Sequence, residues 1–124
     1  MSFIHRTKAK RVHHAGYSFA SKLESALYDQ LWWRQKAKEI TEIKVQATVY
    51  LTKAEIKYIP DFKVTLADGS TEYHEAKGLE ASKWPMVKKL WKHYGPAPLY
   101  IWKGTHERLV LSETIIPEVS NDAS

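Results

Sequence analysis

The chain contains no cysteine. That absence excludes disulfides, cysteine-zinc sites and thiol nucleophiles. No apolar run approaches the roughly 20 residues of a membrane-spanning helix. The N-terminus carries charge but no apolar stretch of the kind a secretory signal needs. We therefore expect a soluble cytoplasmic protein with no membrane partner. Acid is also missing from two places. Residues 1–23 hold Arg6, Lys8, Lys10, Arg11 and Lys22 and no Asp or Glu, so the whole net charge of +5 sits at the front. A second acid-free window, residues 81–106, holds Lys83, Lys88, Lys89, Lys92 and Lys103. Two basic segments on a neutral body suit a polyanion such as DNA, because neutralising phosphates is the main sequence-independent source of affinity. The competing readings are a solubilising arm and a solvated helix face.

What is present fits one domain. The chain has 124 residues, of which 44% are hydrophobic and 27% charged, enough for a single core. Residues 1–17 lack a clean period and read as a flexible basic arm, 18–112 as the domain, and 113–124 as a tail. Leu23, Ala26, Leu27, Gln30 and Leu31 follow a helical spacing over residues 21–37. Ser21 stands at the cap, with Glu24 three later as a capping box. Trp32 and Trp33 are adjacent and cannot share one stripe of that helix.

Residues 43–51 alternate apolar and polar, a strand with one buried face. Residues 56–66 form another extended run, broken by Pro60, which cannot donate to a ladder and marks an edge, bend or bulge. Asp68-Gly69 is a hairpin turn, and residues 71–77 return, with Gly78 as the stop. Residues 82–93 read as a second helix capped by Ser82, with Pro85 in its first turn. Leu99 to Lys103 is a short strand, and Arg108 to Leu111 a further one. The expected fold class is α/β, a mixed central sheet flanked by helices in the order α-β-β-β-α-β.

The chemistry lies at the hairpin. If it closes at Asp68-Gly69, Asp61, seven residues before Asp68, and Glu75, six after Gly69, sit near one another across the ladder, allowing for a bulge. Like charges facing each other on neighbouring strands are unfavourable unless something offsets them. A hard cation such as Mg²⁺, which takes one or two carboxylates plus water and phosphate, would do so. Lys77 would share the strand face of Glu75 and could hold a water or stabilise charge on a phosphate. His74 would face away. For each residue a plainer reading exists: Glu24 completes a capping box, Glu75 and Lys77 form a surface ion pair, and Pro60-Asp61 makes a turn.

The segments "SKLE", "YIPDF" and "EAKG" resemble the PD-(D/E)XK nuclease superfamily. With Gln46 and the "DG" turn they are similar to small phage-encoded nucleases and to the endonuclease I family of Holliday-junction resolvases. The resemblance covers about residues 21–102 and leaves out the arm and the tail. It implies a restriction-endonuclease-like core. It implies that Asp61 and Glu75, helped by the Ala76 backbone carbonyl, bind Mg²⁺ or Mn²⁺. Glu24 would serve a second metal or orient water, and Lys77 would position the attacking water. The implied activity is DNA endonuclease, with branched DNA favoured and a homodimer to make paired cuts. The alternatives are a nicking or sequence-specific duplex endonuclease, and a catalytically inactive DNA-binding protein of the same fold. From charge, and not from the resemblance, Arg6, Lys8, Lys10, Arg11, Lys22, Lys83, Lys88, Lys89 and Lys92 are the expected DNA contacts.

Overall fold

The computed structural model describes residues 12–14, 16–77 and 82–118. Arg6, Lys8, Lys10, Arg11 and Gly78 lie outside the described residues. The elements run β1 (Val12–His14), β2 (Tyr17–Phe19), α1 (Lys22–Lys36), β3 (Ile40–Val45), β4 (Val49–Tyr50), β5 (Lys57–Tyr58), β6 (Phe62–Leu66), β7 (Thr71–Ala76), α2 (Trp84–Tyr94), β8 (Leu99–Thr105) and β9 (Arg108–Ile115). The central sheet has five strands in the order β3-β6-β7-β8-β9. It is antiparallel except where β7 meets β8. A parallel pair needs a crossover connection, and α2 provides it. The chain is therefore mixed α/β, and α1-β3-β6-β7-α2-β8 keeps the expected order.

The sheet separates two apolar clusters. On one face α1 places Leu23, Leu27, Tyr28 and Leu31 over Phe62, Val64 and Ala76. On the other, α2 places Val87 and Trp91 over Tyr73, Leu99, Ile101 and Ile115. Ser21 caps α1 by accepting the Glu24 N–H at 3.1 Å. Trp32 packs partly against the first cluster, whereas Trp33 is 66% exposed. The turn at Asp68-Gly69 closes the β6–β7 hairpin, with Gly69 at φ +88°, a conformation glycine adopts without steric cost. Its register pairs Phe62 with His74 and Thr65 with Thr71.

Four sequence expectations are corrected. The run 43–51 is not one strand. It breaks after Val45, where Gln46 takes φ +56°. The left-handed residue turns the chain over, so Ile43 and Val45 pack with the α1 cluster while Ala47, Val49 and Leu51 enter the α2 cluster. One alternating pattern thus feeds both faces. Secondly, the supposed arm of residues 1–17 contains strand β1 and the start of β2. This hairpin carries Phe19, which is buried against Tyr28 and Phe62. Thirdly, the supposed tail from residue 113 holds the end of β9, where Ile115 is buried, and Glu118 donates its N–H to the Lys92 carbonyl at 2.7 Å. Finally, α2 starts at Trp84 after Lys83, with no side-chain cap, so Ser82 does not cap it. Pro60 does interrupt the 56–66 run, separating β5 from β6.

Candidate metal and catalytic site

Asp61 sits at the entry to β6, immediately after Pro60. The β6–β7 register continued by one pair sets it opposite Glu75. Pro60 has no N–H to offer, and the ladder stops there. Asp61 fills the gap from its side chain: Oδ2 accepts the Ala76 N–H at 2.8 Å. Its carbonyl accepts the Gln46 N–H at 2.6 Å. The break at Gln46 and the break at Pro60 are therefore one feature, because each strand end is tied to Asp61. No role for Gln46 follows from its place in the chain; in the fold its backbone anchors the central carboxylate. In a strand the N–H and C=O of one residue point the same way. The Ala76 carbonyl is thus directed to the Asp61 side, away from β8.

Glu24 reaches the same place from α1. It is 3% exposed, and Oε1 accepts the Ala20 N–H at 2.9 Å. The capping role and the site role coexist: the Glu24 N–H is capped by Ser21, while its carboxylate ties down the chain before the helix and lies within hydrogen-bonding reach of Asp61. Glu75 is 4% exposed. Burial, then the charge of Glu75, then that of Glu24 hold the Asp61 carboxyl well above the ordinary carboxylate range, and the Ala76 N–H pulls only partly the other way. Three carboxyl groups from three elements therefore crowd together. Among the described residues neither Glu24 nor Asp61 has an ion-pair partner.

That charge imbalance is what a divalent cation offsets, and carboxylate and carbonyl oxygens are the donors Mg²⁺ and Mn²⁺ take. The donor set fits such an ion. Even so, among the described residues no group of three or more His, Asp or Glu side chains stands ready-made as a metal site. Oδ2 of Asp61 is already engaged by the Ala76 N–H, and Oε1 of Glu24 by the Ala20 N–H.

Lys77 departs from expectation. β7 ends at Ala76, and Lys77 has φ +77°, so the rule that sets residues i and i+2 on one strand face does not carry to it. Its N–H donates to the Trp102 carbonyl at 2.7 Å and its side chain is exposed. A left-handed conformation at a non-glycine residue is uncommon and costs free energy, and here it falls at the rim of the carboxylate cluster. His74 faces away from Glu75, as expected. It is buried, receives the Trp102 Nε1–H on Nδ1 at 3.0 Å and lies 3.0 Å through Nε2 from Glu72. Since Nδ1 accepts, Nε2 carries the proton and donates to Glu72. Burial lowers the His74 pKa, with the Glu72 contact opposing. Arg34 on α1 also donates to Glu72, at 3.1 Å, so this chain of bonds fastens α1 to β7 behind the site.

The lysines divide. Lys22, Lys83, Lys89 and Lys92 are exposed. Lys88 pairs with Glu113 at 3.0 Å, and Glu113 also accepts from Trp84 Nε1 at 2.9 Å, so its charge is partly cancelled. Lys88, Lys89 and Lys92 line a groove of ≈ 710 Å³ between α2 and β9, together with Glu113 and Ile116. The groove is not at the carboxylates, but it shares the sheet face of Glu75. Glu75 pairs with Ile101, which pairs with Glu113, so Glu113 lies two strand spacings, about 10 Å, from Glu75.

Residues 4–103 match the model of a protein family of unknown function, DUF1064. The chain belongs to DUF1064. The DUF1064 match spans Glu24, Asp61, Glu75 and Lys77 and stops before β9, so the whole carboxylate cluster lies within the family's own segment. No curated protein and no solved structure matches the chain.

Proposed function

We propose that the protein is a metal-dependent DNA endonuclease of the PD-(D/E)XK type, with branched DNA such as a four-way junction as its favoured substrate. One observation carries the reading. Glu24, Asp61 and Glu75, far apart in sequence, converge from a helix, a broken strand entry and a central strand into one carboxylate-rich cluster, with Glu24 and Glu75 buried and Asp61 half-buried. A stability role alone does not account for it, because grouping buried like charges is unfavourable. Branched DNA is favoured from the sequence resemblance alone.

Asp61, Glu75 and the Ala76 carbonyl would hold Mg²⁺ or Mn²⁺, with Glu24 at a second ion or on a water. The ion supplies Lewis-acid polarisation of the phosphoryl oxygen and an acidified water at neutral pH. The chain's own residues do the rest. Asp61 is fixed through both backbone and side chain, so its second oxygen has little choice of direction. Lys77, exposed at the rim, supplies positive charge for the phosphate or the attacking water. The lysines of α2 face the DNA backbone along the groove that shares the sheet face of Glu75. A homodimer would present two equivalent sites for the two symmetric cuts a junction requires.

The test is cleavage of a four-way junction, a linear duplex and a single strand by the purified chain. With Mg²⁺ the junction is expected to be cut in preference to matched duplex, and EDTA should stop it. Preference for nicked or specific duplex sites would move the reading to a duplex endonuclease at the same site. Binding of all three DNAs with cleavage of none, by folded protein in Mg²⁺ and in Mn²⁺, would leave a DNA-binding protein.

A further inference from the structure

We propose that Tyr58 is a positioning residue of the carboxylate site, its hydroxyl holding Glu75 in place for a divalent cation. This rests on the site reading above. Tyr58 belongs to β5, in the two-stranded sheet β4–β5 that follows the break at Gln46. Its ring meets Trp91 edge-on at 6.0 Å and leans on Trp84 at 6.4 Å. It packs in the same cluster as Tyr73 and Ile101. Those two residues surround Glu75: Tyr73 is two positions back on the same face of β7, and Ile101 is its partner on β8. Tyr58 therefore covers the patch of sheet from which Glu75 emerges.

The hydroxyl is buried and meets no partner at full hydrogen-bond geometry among the described residues. Leaving a buried hydroxyl so poorly matched is unfavourable, and phenylalanine would fill the same space without it. The groups nearest the phenol give the hydroxyl a use. Glu75 and then Asp61 are the charged groups beside it, with Glu75 in hydrogen-bonding reach. A phenolic O–H is a donor, and Glu75 is the carboxylate beside it that can accept it. A carboxylate has two oxygens, so one held by Tyr58 leaves the other for the ion. Neutral donors that orient a ligand in this way are a regular part of metal sites.

The experiment measures Mn²⁺ affinity by titration calorimetry for the full chain and for Tyr58→Phe and Asp61→Asn, with thermal unfolding in EDTA as the check on folding. Tyr58→Phe is expected to fold as the parent does and to bind Mn²⁺ about 10–100-fold more weakly. A variant that is folded and binds Mn²⁺ as the parent does overturns the role of Tyr58 and leaves the site standing. Should the parent bind no Mn²⁺, or bind it unaffected by Asp61→Asn, the carboxylate site itself fails and the role of Tyr58 fails with it. Tyr58→Leu repeats the comparison if the phenylalanine variant does not fold.

Discussion

Asp61→Asn is expected to lower metal-dependent DNA cleavage by about 10⁴-fold, the scale on which single members of a catalytic set act. The substitution is nearly isosteric. Its amide oxygen still accepts the Ala76 N–H, now made at 2.8 Å, and the backbone bond from Gln46 is untouched. What disappears is one negative charge at the centre of the cluster. DNA binding depends on lysines elsewhere and should stay within a few-fold of the parent. Single-turnover cleavage with Mg²⁺ and gel shift in EDTA separate the two properties. Cleavage that survives the substitution at parental rates would show that Asp61 is not in the site.

The second large effect is on stability. The folded-state pKa of Asp61 is raised, first by burial and then by Glu75 and Glu24. Between its unfolded value near 3.9 and that raised value, the native state binds more protons than the unfolded chain. Stability then falls as pH rises. The metal-free protein should therefore lose stability from about pH 4 upward, as the cluster is forced to ionise. The amide of the Asp61→Asn variant has no such proton to lose. In EDTA that variant should melt above the parent at pH 8, with the gap closing toward pH 4. His74 acts in the opposite direction. Its lowered pKa contributes stability that is complete above about 6.5 and is lost as pH falls through the folded value; the comparison of parent with variant cancels it. Mn²⁺ at 100 times its Kd should add about 2.7 kcal/mol to the parent, on the order of 10 °C in Tm for a domain of this size. It should add little to the variant. Thermal scans with and without Mn²⁺ at pH 5 and pH 8 read both effects. A variant less stable than the parent at pH 8 without metal would contradict the crowded-carboxylate account.

Part of this is legible in the amino-acid sequence. The Asp68-Gly69 turn sets where the hairpin folds, and counting from it brings Asp61 within one residue of a position opposite Glu75; the register itself supplies the last step. Pro60 announces that the ladder stops there. The two helices and the crossover follow from helical spacing, helped at α1 alone by the Ser21 cap. The flip at Gln46 is not legible, because a left-handed φ at a non-glycine residue is set by its bond to Asp61, far along the chain. The alternation of residues 43–51 is the same whether they face one core or two. Lys77 is misplaced for a related reason: a strand pattern does not say that the last residue turns out of the strand. Tyr58 is invisible as a site residue, since its position depends on the β4–β5 pair that an unbroken strand would erase. The hairpin at residues 12–19 escapes notice because so short a stretch has no period to read, although Phe19 is there to be buried.

The central claim is that Asp61 and Glu75 share a divalent cation. Crystals of the protein grown with Mn²⁺ test it most directly, through anomalous diffraction at a wavelength where manganese scatters strongly. The expected result is one strong peak bonded to oxygens of Asp61, Glu75 and the Ala76 carbonyl, with Lys77 turned toward it. Full Mn²⁺ loading with the peak elsewhere, or no peak while Glu24, Asp61 and Glu75 remain closed on one another, would contradict the account.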